Sequence, residues 1–174
     1  MISVAVIGGG ASGMAFAVAL KQKRPDIEVT VFEKNPKVLK KMLVTGNGRC
    51  NILNFDAVAE NYFEACEFVR PAVEKYTPKK TEAIFRDMGL LLMSEQEGRA
   101  YPISQTAASV VCVLSSAAER AGVKVFTDTP VKSIKKSQGR FVINNDKSFD
   151  FAVIACGGAA APKQGTDGSS FELF

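Results

Sequence analysis

Ile2-Ser3-Val4-Ala5-Val6-Ile7 is an almost unbroken apolar run, the pattern of a parallel strand buried on both faces. Gly8-Gly9-Gly10 ends it. An Ala-rich stretch with Met14, Val18 and Leu20 then predicts a helix over 11–23, stopped by Pro25. A second β-branched run follows at 27–32. Strand, glycine turn, helix and strand in that order predict a parallel pair joined by a right-handed crossover. Residues 36–54 read as a long loop rich in Gly and Lys, with a short helical turn near 38–43. Helices are predicted over 57–76 and 78–88, the second with Pro78 in its first turn.

Residues 90–93 and 99–101 predict a hairpin around Gln96-Glu97-Gly98. Ser104 is expected to cap a helix whose apolar stripe runs Ala107, Val110, Val111, Leu114, Ala117, Ala118, Ala121, with Gly122 as its stop. Residues 123–126 read as a third core strand. Segments 131–135, 140–143 and 148–150 read as an antiparallel meander, and 151–155 as a fourth apolar strand running into Cys156-Gly157-Gly158. The fold class is therefore α/β: a Rossmann-like three-layer domain over 1–174, with a parallel sheet and an antiparallel β-meander. Near the end, Gly165-Thr166-Asp167-Gly168 reads as a loop leading into a helix that only Phe171-Glu172-Leu173-Phe174 would continue. The chain thus reads as an N-terminal fragment. Phe171, Leu173 and Phe174 are expected to lie exposed and to favour self-association.

Composition narrows the chemistry. With 174 residues, 47% of them hydrophobic, the chain can bury one good core. No apolar run approaches the ~18 residues of a membrane span. The start lacks the basic region of a secretory signal, so a cytoplasmic protein is expected. Histidine is absent, which removes Ser-His triads, imidazole acid/base catalysis and His-ligated metals. Cys50, Cys66, Cys112 and Cys156 form no C-x-x-C pair and are expected to be reduced packing residues. Net charge is +4. Lys34, Lys37, Lys40, Lys41 and Arg49 share one segment, without the interleaved aromatics of a single-strand nucleic-acid surface. Nucleic acid is not the expected partner, and a phosphate-facing role suits this segment better than Lys132, Lys135 and Lys136.

Gly8-x-Gly10-x-x-Gly13 follows a predicted strand and opens a predicted helix. Its glycines serve a tight turn, close approach to a pyrophosphate, and close packing of helix on strand. The helix N-terminus offers free N–H groups to phosphate. Glu33 ends the second strand, where a carboxylate accepts hydrogen bonds from adenosine ribose hydroxyls and repels a 2′-phosphate. FAD and NAD share this fingerprint. The meander, and a strand ending in Gly-Gly, favour FAD over the strand-helix alternation of a plain dehydrogenase.

Thr45-Gly46-Asn47-Gly48-Arg49-Cys50-Asn51 is more specific, as are Gly98-Arg99-Ala100-Tyr101-Pro102-x-Ser104 and Ala155-Cys156-Gly157-Gly158. With Lys40-Lys41-Met42-Leu43 and Glu33-Lys34-Asn35, the whole chain resembles the HI0933-like, YhiN-type family of bacterial NAD(P)/FAD-dependent oxidoreductases, within the two-dinucleotide-binding-domain flavoproteins. The resemblance implies that Gly8, Gly10, Ala11, Ser12 and Gly13 hold the FAD pyrophosphate, and Glu33 with Lys34 the adenosine end. It assigns Lys41, Gly46, Asn47, Gly48, Arg49, Cys50 and Asn51 to the ribityl and flavin side. Val131 would touch adenine through its backbone, and Ala155, Gly157 and Gly158 would close over the cofactor. This chain departs from the family at Leu39, where Gly is usual, at Cys156, where Thr is usual, and after Gly165. Family members are much longer: an inserted second domain and a C-terminal return segment, both missing here, complete the flavin pocket.

On the residues alone, Gly46 and Gly48 let backbone N–H groups approach a ligand, and Arg49 carries a charge able to meet phosphate or a substrate carboxylate. Cys50 lacks a nearby partner, which disfavours a disulfide reductase. No side chain is assigned as catalytic, and NAD(P)H is expected only as electron donor, since no second G-x-G-x-x-G occurs. Three alternatives stand beside the FAD oxidoreductase reading. An NAD-binding dehydrogenase would bind NAD and carry no flavin spectrum. An FAD-dependent RNA-modifying or RNA-binding protein would show salt-dependent RNA affinity through Lys37 and Lys40. A non-catalytic dinucleotide-binding fragment would need the missing chain.

Overall fold

Residues Val4, Ala5, Val6 and Ile7 are buried almost completely, as are Val29, Thr30, Val31 and Phe32 one crossover later. Burial on both faces is what an uninterrupted apolar run requires, and each such valine or isoleucine contributes about 1.5–3 kcal/mol. The structure is a computed structural model describing residues 1–159, 162 and 168–173; most of the predicted capping loop (165–167) and Phe174 lie outside them. Along the chain the strands are β1 (Ser3–Ile7), β2 (Glu28–Phe32), β3 (Leu53–Asn54), β4 (Leu92–Ser94), β5 (Arg99–Pro102), β6 (Lys124–Phe126), β7 (Ile134–Ser137), β8 (Arg140–Ile143), β9 (Lys147–Phe149) and β10 (Phe151–Ile154). The helices are α1 (Ala11–Lys23), α2 (Cys66–Lys75), α3 (Pro78–Asp87) and α4 (Ala107–Arg120). The chain divides into two compact units, Met1–Met42 with Leu114–Phe174, and Leu43–Val113, the division falling within α4.

The first unit holds a four-stranded parallel sheet in the order β10-β1-β2-β6. Helix α1 packs its Gly13, Met14, Ala17 and Val18 face against β1 and β2. The meander β7-β8-β9 is antiparallel and in register, Ile134 opposite Ile143 and Phe141 opposite Phe149. It begins three residues later than expected: Val131 precedes β7, because the Asn144 side chain captures the Lys132 N–H at 2.7 Å and the Pro130 carbonyl at 3.0 Å. The outer strands correct the expectation of four core strands. Val125, Phe126, Phe151 and Ile154 are exposed, since β6 and β10 are sheet edges among the described residues. The expected exposure of Leu173 is corrected as well. It is half-buried against Ala5, Ile7, Phe32, Ile143 and Phe149, whereas Phe171 is exposed.

In the second unit the predicted hairpin forms, with Met93 opposite Tyr101, and β3 adds a third strand that the sequence pattern did not indicate. The helix expected over 57–76 is broken. A 3₁₀ turn (Ala59–Ala65) holds Phe63 at φ 49°, a conformation no right-handed helix continues through, and α2 starts only at Cys66. Helix α3 starts as predicted, the Thr77 hydroxyl facing the Lys80 N–H at 3.5 Å. Ser104 does not cap α4. Gln105 at φ 57° separates it from the helix, and the Ser104 hydroxyl instead faces the Thr106 N–H at 3.5 Å. The other end of α4 behaves as read: the N–H groups of Gly122 and Val123 return to Glu119 and Ala118, a left-handed glycine C-cap.

A polar tie holds β1 to the strand beside it. The Asp150 carboxylate accepts the Ser3 N–H and the Ser3 hydroxyl, both at 2.8 Å, and pairs with Arg140. The Ser3 N–H, the Ser3 hydroxyl and then Arg140 hold its pKa below the usual aspartate range. A carboxylate with a depressed folded pKa stabilises above its unfolded pKa and loses that contribution as pH falls through the folded value. Wild type is therefore expected to lose stability on acidification below about pH 4. Asp150→Asn should be less stable at neutral pH and flatter over that window. Equal slopes in pH-resolved urea denaturation would contradict this.

Candidate functional site

Three peptide groups shape the turn after β1. Gly8 sits at φ 108° and donates its N–H to the Phe32 carbonyl at 2.8 Å. A Cβ at Gly8 would come within 2.6 Å of the Ala155 carbonyl oxygen, and one at Gly13 within 2.0 Å of the Gly8 oxygen. Only glycine fits either place. A Cβ at Gly10 would meet nothing within 4 Å, so the turn is open on that side. Gly10 also stands at the N-cap of α1, whose first residues Ala11 and Ser12 are exposed. The result is an open cradle at a helix N-terminus, suited to an anionic group.

Glu33, at the end of β2, is buried with 8% exposure, and its carboxylate is already in use. One oxygen accepts the Gly9 N–H at 2.8 Å; the other accepts the Asn35 N–H at 2.8 Å and the Asn35 side-chain amide at 2.6 Å. Of about four acceptor positions on a carboxylate, three are filled. About one acceptor position is left over. Gly9 and Asn35 are the functional neighbours that the motif did not reveal. Gly9 also accepts the Leu39 N–H at 2.8 Å, and a Cβ on Gly9 would strike Val38 at 2.6 Å.

That contact explains the departure at Leu39. Its φ is 60°, which favours glycine, yet the side chain is 1% exposed. The left-handed backbone costs about 1–2 kcal/mol, and burying a leucine returns about 1.5–3 kcal/mol. Burial offsets the strain. Cys156 has a comparable account: its thiol donates to the Ile7 carbonyl at 3.2 Å, as a threonine hydroxyl would. Burial first, and the nearby Glu33 second, push the thiol's pKa up, so it stays protonated at neutral pH.

Within the first unit, therefore, the fold brings Gly8, Gly13 and Ala155 into contact and joins Glu33 to the same turn through Gly9. Lys34, Gly157 and Gly158 are exposed, Lys41 is half-buried, and Val131 is half-buried against the core that also packs Cys156. In the second unit, Gly46, Asn47, Gly48 and Asn51 are exposed and Cys50 is buried. The Arg49 guanidinium has partners within the unit. Its Nε donates to Gln105 at 2.6 Å, its Nη2 pairs with Glu95, and the guanidinium lies 4.0 Å over the Tyr101 ring. Arg99 pairs with exposed Glu97.

Comparison with known proteins places the chain in a family. The HI0933-like protein Rossmann domain matches residues 2–174. The chain belongs to the HI0933-like family. The 3-dehydro-bile acid delta(4,6)-reductase of Clostridium scindens is 37% identical over 99% of this chain and 43% of its own length. A ribosomal RNA dihydrouridine synthase of Haemophilus influenzae is 25% identical over 97% of this chain and 43% of its own. The chain thus spans less than half the length of these HI0933-like relatives. Among solved structures, Thermovibrio ammonificans THI4 superposes with a TM-score of 0.59 at 16% identity, over 98% of this chain and 62% of that one, a likeness of fold. Among the described residues no helix is long and apolar enough to cross a membrane.

Proposed function

We propose that the first unit binds the ADP half of FAD and that the protein to which this chain contributes is an FAD-dependent oxidoreductase. The observation that carries the reading is the Gly8–Gly13 turn, open at Gly10, with the Glu33 carboxylate hydrogen-bonded to Gly9. In this reading the N–H groups at the start of α1 meet the pyrophosphate, and the remaining acceptor position of Glu33 takes a ribose hydroxyl. Val131 presents its backbone to adenine, and Ala155, Gly157 and Gly158 lie along the cofactor. Lys41 and the Gly46–Asn51 loop serve the ribityl and flavin side, as the family resemblance implies. When bound, FAD supplies hydride and electron transfer, while the chain binds and orients it.

The two relatives named above carry the names of a reductase and a dihydrouridine synthase. A flavin-dependent reductase fed by NAD(P)H is the corresponding proposal here. Four free cysteines suit a reducing, cytoplasmic setting. Absorption spectra of the purified protein, followed by FAD titration of the stripped form, test the cofactor. Flavin bands at isolation and saturable uptake are expected. Uptake of NAD but not FAD, by this chain and by the full-length protein alike, would sink the reading.

A second reading has one observation in its favour: Lys34, Lys37 and Lys40 are exposed, and one relative acts on ribosomal RNA by name. It requires RNA affinity that falls with salt and with Lys37→Gln/Lys40→Gln.

A further inference from the structure

The Thr45–Asn51 loop takes an awkward path. Gly46, Asn47, Gly48 and Cys50 lie at φ 54°, 53°, 82° and 62°, a region that glycine and asparagine tolerate and that Cys50 disfavours. Such a path persists only where surrounding groups over-determine it. Two backbone bonds close the loop on itself, Arg49 N–H to Gly46 at 3.0 Å and Cys50 N–H to Thr45 at 3.1 Å.

The Asn51 amide also donates to the Ala100 carbonyl at 3.3 Å, and the Arg49 side chain adds a charged restraint. Glu95, Tyr101 and Gln105 grip it from three sides, and the Gln105 amide also donates to Glu95 at 3.2 Å. Gln105 itself sits at φ 57°, a strained backbone that aims its side chain into this cluster. The pairing neutralises the guanidinium, so its charge is spent within the unit.

We propose that Glu95 and Gln105 are positioning residues, which hold Arg49 as an internal anchor of the Thr45–Asn51 loop and not as a contact for phosphate or a substrate carboxylate. The loop's service to the flavin rests on the FAD reading above; the clamp does not. A fork with a stacked face is required at residue 49, because a lysine ammonium cannot reach Gln105 and Glu95 in one plane while lying on Tyr101.

Amide hydrogen exchange of the purified protein, without added FAD, reads the clamp directly. Glu95→Gln, Gln105→Met and Arg49→Lys should each raise exchange across 45–51 by about tenfold or more, the effect of losing one charge-assisted hydrogen bond. Glu97→Gln, at a carboxylate that pairs with Arg99 and not with Arg49, should leave it unchanged. Wild-type exchange in Glu95→Gln and Gln105→Met would overturn the proposal. With FAD, Arg49→Met should weaken binding while keeping the wild-type salt dependence. A shallower salt dependence would mean that the guanidinium meets an anionic group of the cofactor, which also overturns it. Failure to take up FAD, by this chain and by the full-length protein alike, would sink the cofactor reading alone and leave the exchange test to decide the clamp.

Discussion

Gly13→Ala is expected both to destabilise the protein and to abolish FAD retention, whereas Gly10→Ala should lose FAD affinity alone. The two substitutions add the same methyl group. At Gly13 it would land 2.0 Å from the Gly8 carbonyl oxygen, a backbone atom with nowhere to go. Helix α1 would have to lift from β1, at a cost of at least about 2 kcal/mol. At Gly10 the methyl meets nothing within 4 Å, and the backbone there is ordinary extended chain at φ −77°. Stability should stay within about 1 kcal/mol of wild type, allowing for alanine's poorer capping. The new methyl occupies the space proposed for the pyrophosphate, so FAD affinity should fall about a hundredfold. Urea denaturation and FAD titration on both variants separate the two effects. If Gly10→Ala bound FAD like wild type, the pyrophosphate would not lie on this turn.

Glu33 carries the second large effect. Glu33→Gln keeps one carbonyl oxygen, which can satisfy either Gly9 or Asn35 but not both, because the new NH₂ faces N–H donors on the other side. A buried donor left without an acceptor costs about 1–3 kcal/mol, so the variant should be measurably less stable even without cofactor. Its FAD affinity should fall about tenfold or more as the turn relaxes and the ribose contact weakens. Glu33→Arg should remove binding entirely. Calorimetric titration with FAD settles the point: wild-type affinity in Glu33→Gln would confine the carboxylate to holding the turn.

Much of the first unit was legible in the sequence because its signals are local. A buried parallel strand shows as an apolar run, and glycine turns show where no Cβ fits. The meander announced itself as three short strand segments close together in the chain. Legibility failed where partners lie far apart in the chain. Leu39 offered no hint that its N–H would reach Gly9, and the helix expected over 57–76 looked continuous until Phe63 took a left-handed backbone. Ser104 is of a residue type that caps helices, yet Gln105 at φ 57° separates it from the helix.

What the sequence determined by itself was the fold class, the order of elements in the crossover, and the positions where an anionic ligand could approach backbone. Periodicity and glycine placement are properties of neighbouring residues, so a linear reading suffices for them. Only the tertiary structure decided how charges and polar groups were used. It spent three acceptor positions of Glu33 on Gly9 and Asn35, and it turned Arg49 from a free cation into one gripped by Glu95, Tyr101 and Gln105. A side chain's free hydrogen-bonding capacity depends on which distant residues fold against it. No spacing rule along the chain contains that information.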